Sequence, residues 1–205
     1  MIDHLSYSSI NTYLLCPRAW RYRYLDKVDV PTSPALIFGS AFHEAVEQYL
    51  TMRHSGDELP VAELFDATWE TQLEQNDDVD WGDDSEESLL ETATRMLTDD
   101  SIVAQIDALR PLIIDNAPVI EKYVTITVPG VPIPIVGYID IITDDGIPGD
   151  LKTSGRKWYG DKAEQEMQPV FYLAALNQEG YDLNPELRFR HYVYTKTKSP
   201  VVQVL

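Results

Sequence analysis

The alternation of apolar and polar positions divides the chain into a helical first half and a strand-rich second half. Apolar residues recur at intervals of three and four within residues 38–50, 59–69, 87–97 and 101–112. This spacing gathers the apolar side chains on one face of a helix, so it predicts four amphipathic helices. Pro111 lies near the end of the last predicted helix.

The second half opens with a predicted antiparallel meander. Residues 121–128, 133–142 and 147–152 are rich in β-branched and aromatic side chains, which favour strands. Turn-forming residues separate these strands, at residues 128–131 and at residues 144–146.

A helix and a further strand follow the meander. Residues 161–178 have helical apolar spacing, but Pro169 lies within them and predicts a kink or a restart of the helix. Residues 187–195 predict the next strand, and residues 201–205 also read as a strand. The order α-β-β-β-α-β indicates an α/β fold in which helices flank a mixed sheet.

Two carboxylates and a lysine fall on the central hairpin of this meander. Asp140 lies at the end of its strand, while Asp150 and Lys152 are two residues apart and therefore point to the same face. The hairpin brings Asp140 within reach of Asp150, and converging carboxylates suit Mg²⁺ or Mn²⁺. Lys152 would hold an attacking water or offset charge on a phosphate, so the pattern indicates phosphodiester hydrolysis. The alternative is a surface hairpin with solvated acidic ends.

Two helices offer polar pairs at helical spacing. His43 and Glu47 are four residues apart in the first helix, as are Gln168 and Tyr172 in the later one. His43 is either a metal ligand or a hydrogen-bonded interface histidine. The later pair either binds a phosphate or supports Lys152; otherwise Tyr172 is a core residue and Gln168 is solvated.

In chain order, these residues resemble the motifs of a known superfamily. The chain contains G-x-x-x-H at residues 39–43, G-x-x-D at 137–140, D-x-K at 150–152 and Q-x-x-x-Y at 168–172. Residues 7–24 are similar to an opening helix of the form S-x-x-x-Y-x-x-C-P-x-x-(aromatic). The set resembles the PD-(D/E)XK nuclease superfamily. It is most similar to the RecB-type branch, which includes helicase-linked recombination nucleases, phage exonucleases and CRISPR adaptation nucleases.

The resemblance implies a restriction-endonuclease-like core and a role for individual residues. The implied ligands of Mg²⁺ or Mn²⁺ are His43, Asp140, Asp150 and the main-chain carbonyl of Leu151. The implied catalytic residues are Lys152, Asp150, Asp140, Gln168 and Tyr172. The second acidic position of the family is more often Glu, so the shorter Asp150 would draw the cation closer to its strand.

Several RecB-type members hold an iron–sulfur cluster, for which one N-terminal cysteine and three C-terminal cysteines are the implied ligands. This chain contains only Cys16, whereas a cluster needs about four thiolates. We therefore expect no iron–sulfur cluster in this polypeptide. Cys16 is then a vestige or a packed side chain, unless further cysteines lie in a longer natural product.

The composition fits a single nuclease domain of 205 residues, with 44% hydrophobic residues. One cysteine excludes a disulfide framework, and neither a signal peptide nor a membrane-spanning stretch is evident, so we expect a cytoplasmic protein with no membrane association. The domain divides into N-terminal helices carrying His43 (residues 1–56), an acidic helical insert (residues 57–120), and a catalytic sheet and helix (residues 121–205).

The net charge of −18 argues against a nucleic-acid partner until its distribution is considered. Residues 51–121 contain 19 of the 34 acidic residues and only three of the 16 basic ones, so the rest of the chain is nearly neutral. Basic residues interleave with aromatic ones there, a combination that can bind a single strand. The predicted DNA-binding residues are Arg156, Lys157, Trp158, Arg18 and Arg21. The alternative is that the aromatics fill the core and the basic side chains are solvated.

These observations predict a metal-dependent DNA nuclease, and more narrowly an exonuclease that binds single-stranded or duplex ends. The acidic insert motivates an alternative, in which the chain is a DNA-end-binding or docking module for a helicase, a recombinase or an integrase-type protein in recombination, repair or CRISPR adaptation. A nuclease that cuts RNA also stays open. Within the insert, residues 76–87 read as a solvated loop that could repel duplex DNA and guide a strand end.

Overall fold

The computed structural model describes residues 2–182 and 186–205. The helices are α1 (Tyr7–Leu15), α2 (Pro17–Trp20), α3 (Pro34–Ser55), α4 (Val61–Glu74), α5 (Glu86–Leu97), α6 (Asp100–Ala108), α7 (Lys162–Gln165) and α8 (Gln168–Gln178), with a π-helical turn at Arg21–Leu25. The strands are β1 (Leu5–Ser6), β2 (Ile113–Ile114), β3 (Ala117–Pro118), β4 (Ile120–Ile126), β5 (Ile135–Ile142), β6 (Pro148–Ser154), β7 (Arg190–Thr195) and β8 (Val202–Val204).

The helix boundaries follow local capping chemistry. The side chain of Ser33 accepts a hydrogen bond from the N–H of Leu36 at the start of α3, and Gly56 ends that helix with a left-handed φ of 86°. Ser85 and Ser88 form a reciprocal capping box at the start of α5. The predicted 161–178 helix is broken into α7 and α8, and α8 begins directly before Pro169, which confirms the predicted restart.

Six strands form one mixed sheet. β4, β5 and β6 make the predicted antiparallel meander, and β7 then lies parallel to β6 after the α7–α8 crossover. β8 pairs antiparallel with β7, and β1 pairs parallel with the start of β5. The predicted α/β class, a mixed sheet with flanking helices, is confirmed.

β5 and β6 share a short ladder. Only Ile141 with Gly149 and Ile142 with Pro148 are paired between them. The two strands separate beyond these pairs, and there the carboxylate of Asp140 accepts a hydrogen bond from the N–H of Leu151 at 2.6 Å. A side chain thus satisfies a backbone donor at the point where the ladder ends.

Two apolar clusters hold the helices against the sheet. The larger cluster packs the four helices α3, α4, α5 and α6 against side chains of β5, β6 and β7. Its buried aromatic rings include Phe38, Phe42, Phe65 and Trp69. The smaller joins β4 and β5 to the buried Tyr172 and its neighbours on α8. Helices α3 to α6 therefore pack on the sheet through one cluster, and α8 packs on it through the other.

The structure differs from the sequence prediction in three short strands and in the end of one helix. β1, β2 and β3 were not expected, because two-residue strands carry no measurable hydrophobic period. α6 ends at Ala108 instead of continuing to residue 112, since Arg110 precedes Pro111 and such a residue disfavours the helical conformation. No helix within residues 2–182 or 186–205 has the length and apolarity needed to cross a membrane.

Candidate metal centre

An open cavity of about 420 Å³ lies where α3 crosses the ends of β4, β5 and β6. It contains one imidazole, two carboxylates and one ammonium group. Its lining residues are Ala35, Leu36, Gly39, Ser40, His43, Glu121, Asp140, Lys152 and Thr153. A Cβ added at Gly39 would lie 3.6 Å from the side chain of Thr153, so the glycine at the start of the G-x-x-x-H motif faces β6 at van der Waals distance.

His43 projects from α3 toward the end of β5. Its Nδ1 lies 3.4 Å from Oδ2 of Asp140. Burial lowers the pKa of His43, although the negative charge of Asp150 partly opposes this effect. The imidazole is therefore neutral at neutral pH and keeps a lone pair available for a cation.

Asp140 is 7% exposed and sits on the last part of β5. Burial raises the pKa of Asp140 well above its usual value, repulsion from Asp150 raises it further, and the N–H of Leu151 offsets part of the shift. A buried carboxylate in this state gains stability when a cation approaches, because the cation replaces lost hydration.

Glu121 completes a group of three potential ligands. One ligand atom from each of His43, Glu121 and Asp140 lies within 4.8 Å of the others. Burial raises the pKa of Glu121, and the negative charges of Glu47 and Asp150 add to the rise. One nitrogen and two carboxylates in a partly open cavity fit a divalent cation of the Mg²⁺ or Mn²⁺ class.

Glu121 was missed in the sequence interpretation, although a signal for it existed. Its neighbours in β4, Ile120 and Lys122, pair with Ile141 and Ile139 of β5, so Glu121 lies across from Asp140. Its left-handed φ of 45° is uncommon for a residue other than glycine. The antiparallel register of β4 on β5 predicts that Glu121 lies near Asp140, whereas the order of the motifs along the chain does not.

Asp150 lies on β6 beside this group but is not one of the three. It is 1% exposed, and its Oδ1 accepts a hydrogen bond from Nζ of Lys152 at 2.8 Å. Burial raises the pKa of Asp150, but the His191 ring and Lys152 outweigh burial and lower it. The predicted roles of Asp150 and of the Leu151 carbonyl as ligands therefore stay predictions.

The Q-x-x-x-Y pair is buried behind β5. Nε2 of Gln168 donates a hydrogen bond to the Tyr172 hydroxyl at 3.0 Å. A Cβ added at Gly137 would lie 2.8 Å from the Tyr172 ring, so the glycine of G-x-x-D makes room for the tyrosine of the next motif. Neither Gln168 nor Tyr172 lines the cavity, so the structure gives them a packing role; their catalytic role stays a prediction.

The predicted nucleic-acid residues are divided between exposed and buried positions. Arg156 and Lys157 are exposed beyond the end of β6. Trp158 is only 8% exposed, packs against His191 and lies under Nζ of Lys162, which favours the alternative that this aromatic fills the core; its DNA-binding role stays a prediction. Its aromatic character indicated stacking, but the chain folds it inward.

Arg18 and Arg21 are exposed on the N-terminal helical segment, beside a second groove of about 620 Å³. The guanidinium of Arg18 lies over the ring of Tyr22, while Arg21 pairs with Asp26. Leu36 lines both this N-terminal groove and the cavity around His43. The two depressions are thus neighbours on one surface.

Comparison with known proteins identifies similar sequences and folds. A sequence model of the PD-(D/E)XK nuclease superfamily matches residues 4–203. Among solved structures, the crystal structure of a candidate exonuclease from Eubacterium rectale aligns with a TM-score of 0.61 at 14% sequence identity. That alignment covers 99% of this chain and 72% of the other. No curated protein matches the sequence.

Proposed function

Because the chain belongs to the PD-(D/E)XK nuclease superfamily, we propose that it is a metal-dependent deoxyribonuclease, and more narrowly an exonuclease of the RecB type. The observation that supports this proposal is the convergence of His43, Glu121 and Asp140 in one cavity with Lys152. In this proposal the three converging residues hold a Mg²⁺ or Mn²⁺ ion, and Asp150, which lies beside them, joins them as a ligand.

A bound divalent ion would polarise a phosphoryl oxygen and lower the pKa of water at the site. The chain supplies the rest of the chemistry. Neutral His43 and the carboxylates of Glu121 and Asp140 offer lone pairs, and Asp150 fixes the ammonium of Lys152 at the cavity wall. Lys152 then donates hydrogen bonds to the attacking water or to the phosphate as negative charge develops. A nitrogen donor among oxygens favours Mn²⁺ over Mg²⁺.

The N-terminal groove offers a path for one strand of DNA. Arg18 and Tyr22 provide a cation and an exposed aromatic face at one end, and Leu36 connects the groove to the cavity at the other. Base stacking on aromatic rings combined with cationic side chains binds single strands with little sequence preference. Arg156 and Lys157 would contact the backbone on the other side of the site.

The acidic loop borders this path. The N–H of Thr32 donates to the Asp78 carbonyl at 2.8 Å, and the N–H of Asp80 donates to the Thr32 carbonyl at 3.1 Å. Thr32 lines the N-terminal groove, so residues 78–80 of the loop lie beside it. In the proposed function they repel the second strand of a duplex and favour entry of a strand end.

Cleavage of labelled linear and circular DNA tests this proposal. We expect hydrolysis of linear DNA with Mn²⁺ or Mg²⁺, none with EDTA, and no cutting of closed circles. Asp140→Asn is expected to be inactive, whereas Asp144→Asn, an exposed acid in the following turn, serves as the matched control. Absence of metal-dependent cleavage by folded protein would falsify the nuclease proposal, and cutting of circles would replace exonuclease with endonuclease.

A docking role is the second candidate, favoured by an open groove of about 810 Å³ on α5 that is lined by Glu86, Glu87, Leu90 and Glu91. The chain would then bring its DNA-binding surface to a helicase, a recombinase or an integrase-type protein. Pull-down from host lysate with and without the triple substitution Glu86→Gln, Glu87→Gln and Glu91→Gln tests this role. Unchanged recovery of every partner would count against it.

A further inference from the structure

A buried histidine lies behind Asp150, outside the cavity. His191 of β7 pairs in register with Asp150 of β6 and is only 2% exposed. Its Nδ1 lies 3.7 Å from Oδ2 of Asp150. Among the described residues, neither of these atoms has a hydrogen-bond partner, and neither does Nε2 of the same ring.

Two facing polar atoms that are buried and unpaired are costly. Each loses its hydration on folding, and an unpaired buried group costs about 1–3 kcal/mol. The separation of 3.7 Å exceeds the N–H···O range by about half an ångström, so a small rotation of either side chain closes it. Oδ1 of Asp150 is already bonded to Lys152, so Oδ2 is the oxygen of this carboxylate that is left for Nδ1 of His191.

Two aromatic rings pack against the ring of His191. The centroid of the Trp158 ring lies 5.2 Å away and that of Phe189 lies 5.1 Å away. The main chain of Trp158 is held by the side chain of Gln203 of β8. This amide accepts a hydrogen bond from the Trp158 main-chain N–H and donates one to the Trp158 carbonyl. A clamped imidazole has little freedom to turn away from the carboxylate beside it.

We propose that His191 is a positioning residue for the reaction, in which its Nδ1–H donates to Oδ2 of Asp150 and sets the plane of that carboxylate. Oδ1 is then the oxygen that faces Lys152 and the cation. His191 touches neither substrate nor metal and acts only through Asp150. The inference rests on the proposed function, because it assumes that Asp150 serves the metal centre.

Binding of Mn²⁺ to purified protein, measured by calorimetry, tests the inference without reliance on activity. His191→Phe keeps a planar ring but removes the donor, and we expect it to weaken Mn²⁺ binding about 10- to 100-fold, as loss of a hydrogen bond to a ligand commonly does. His191→Asn retains an N–H donor and is expected to recover much of this affinity. For DNA cleavage, His191→Phe should lower kcat and leave KM nearly unchanged.

A double-mutant cycle separates positioning from general packing. In an Asp150→Ala background, His191→Phe should cause no further loss of Mn²⁺ affinity, since no carboxylate is left to position. An equal loss in both backgrounds, or wild-type affinity in folded His191→Phe, overturns the positioning role alone. Wild-type Mn²⁺ affinity in Asp150→Ala removes Asp150 from the metal centre, and both this inference and that part of the proposed function then fail.

The tautomer of His191 provides a measurement that needs no variant. Nitrogen-15 NMR of the wild-type protein should show a proton on Nδ1 of His191. A neutral ring protonated on Nε2 alone would contradict the hydrogen bond to Asp150 and overturn the proposal even where His191→Phe does not fold.

Discussion

The two sides of the metal centre differ in how their charges are balanced. On one side, His43, Glu121 and Asp140 come from three separate elements, and both carboxylates have a raised pKa. On the other side, Asp150 has a lowered pKa because His191 on the adjacent strand β7 and Lys152 on the same strand β6 lie beside it. The first side needs a cation from solution to be stable in its charged form, whereas the second is neutralised by the protein itself.

This difference distinguishes two carboxylates that look equivalent in the sequence, because Asp140 has no cationic partner of its own among the described residues, whereas Asp150 also holds Lys152. The side formed by His43, Glu121 and Asp140 gains a favourable interaction only when a divalent ion is present. The side formed by Asp150 and Lys152 is ordered before any ion arrives. Substitutions on the first side should therefore act mainly on metal affinity, and substitution of Lys152 should act mainly on the rate of the chemical step.

The largest effect is expected for Asp140→Asn. This change removes a charged ligand but leaves an oxygen that can still accept from the N–H of Leu151, so the fold should be retained. Loss of several kcal/mol of charge stabilisation corresponds to about a thousandfold or greater fall in kcat/KM. Single-turnover cleavage assays measure it, with Asp144→Asn as the control. Activity within tenfold of wild type would show that the two sides do not differ in the way proposed.

Lys152→Met is expected to have the next largest effect. The substitution keeps much of the aliphatic length and removes the donor, and loss of one donor to a developing oxyanion lowers kcat about 10²- to 10³-fold. Affinity for Mn²⁺ should stay close to wild type or increase, because a competing positive charge is gone. Calorimetry and cleavage assays on the same preparation measure both quantities, and a loss of metal affinity comparable to the loss of rate would contradict the division of tasks.

Glu121→Gln is expected to weaken Mn²⁺ binding by at least about tenfold. Attraction between opposite unit charges about 4 Å apart near a protein surface is worth about 4 kcal/mol, and 1.4 kcal/mol already changes Kd tenfold. Glu63→Gln, which neutralises an acid in the first turn of α4, is a matched control for the change in net charge. Equal Kd values for Glu121→Gln and the control would remove Glu121 from the metal centre.

The smallest effect is a pH dependence of stability in metal-free protein. The folded state holds a proton on Asp140 to a higher pH than the unfolded chain does, because burial raises its folded pKa above 3.8. Between the two pKa values the folded state binds more protons, so stability falls as pH rises through this window. Urea unfolding of the wild type and of Asp140→Asn at several pH values isolates the contribution of the Asp140 carboxyl group to the free energy of unfolding.

Saturating Mn²⁺ should abolish this pH-dependent loss, since the ion stabilises the ionised carboxylate. The wild type should therefore lose stability relative to Asp140→Asn as pH rises without metal, and regain it with metal. If the free energy of unfolding of the two metal-free proteins changed equally with pH, the raised pKa of Asp140 would be contradicted.

The fold and part of the site could be predicted from the sequence for identifiable reasons. Hydrophobic periods located α3 to α6 and the meander, and the strand ends located Asp140, Asp150 and Lys152. Glu121 was not predicted as a potential metal ligand, because its position depends on the register of β4 against β5, which sequence motifs do not encode. The burial of Trp158 could not be predicted, because the same aromatic ring can stack on a base or pack inward on His191, and only tertiary contacts decide.

The hydrogen bond from the Leu151 amide to Asp140 means that exchange of this one amide proton reports whether a metal ion is bound at the centre. Leu151 pairs with Tyr192 of β7, but its amide donates toward β5, where the pairing of β5 with β6 has already stopped. The rate at which this amide takes up deuterium depends on the strength of its hydrogen bond to one carboxylate oxygen of Asp140. An ion that coordinates the same oxygen will therefore alter the rate. Mass spectrometry of peptides spanning β6 could thus follow titration of the centre with metals that support no turnover.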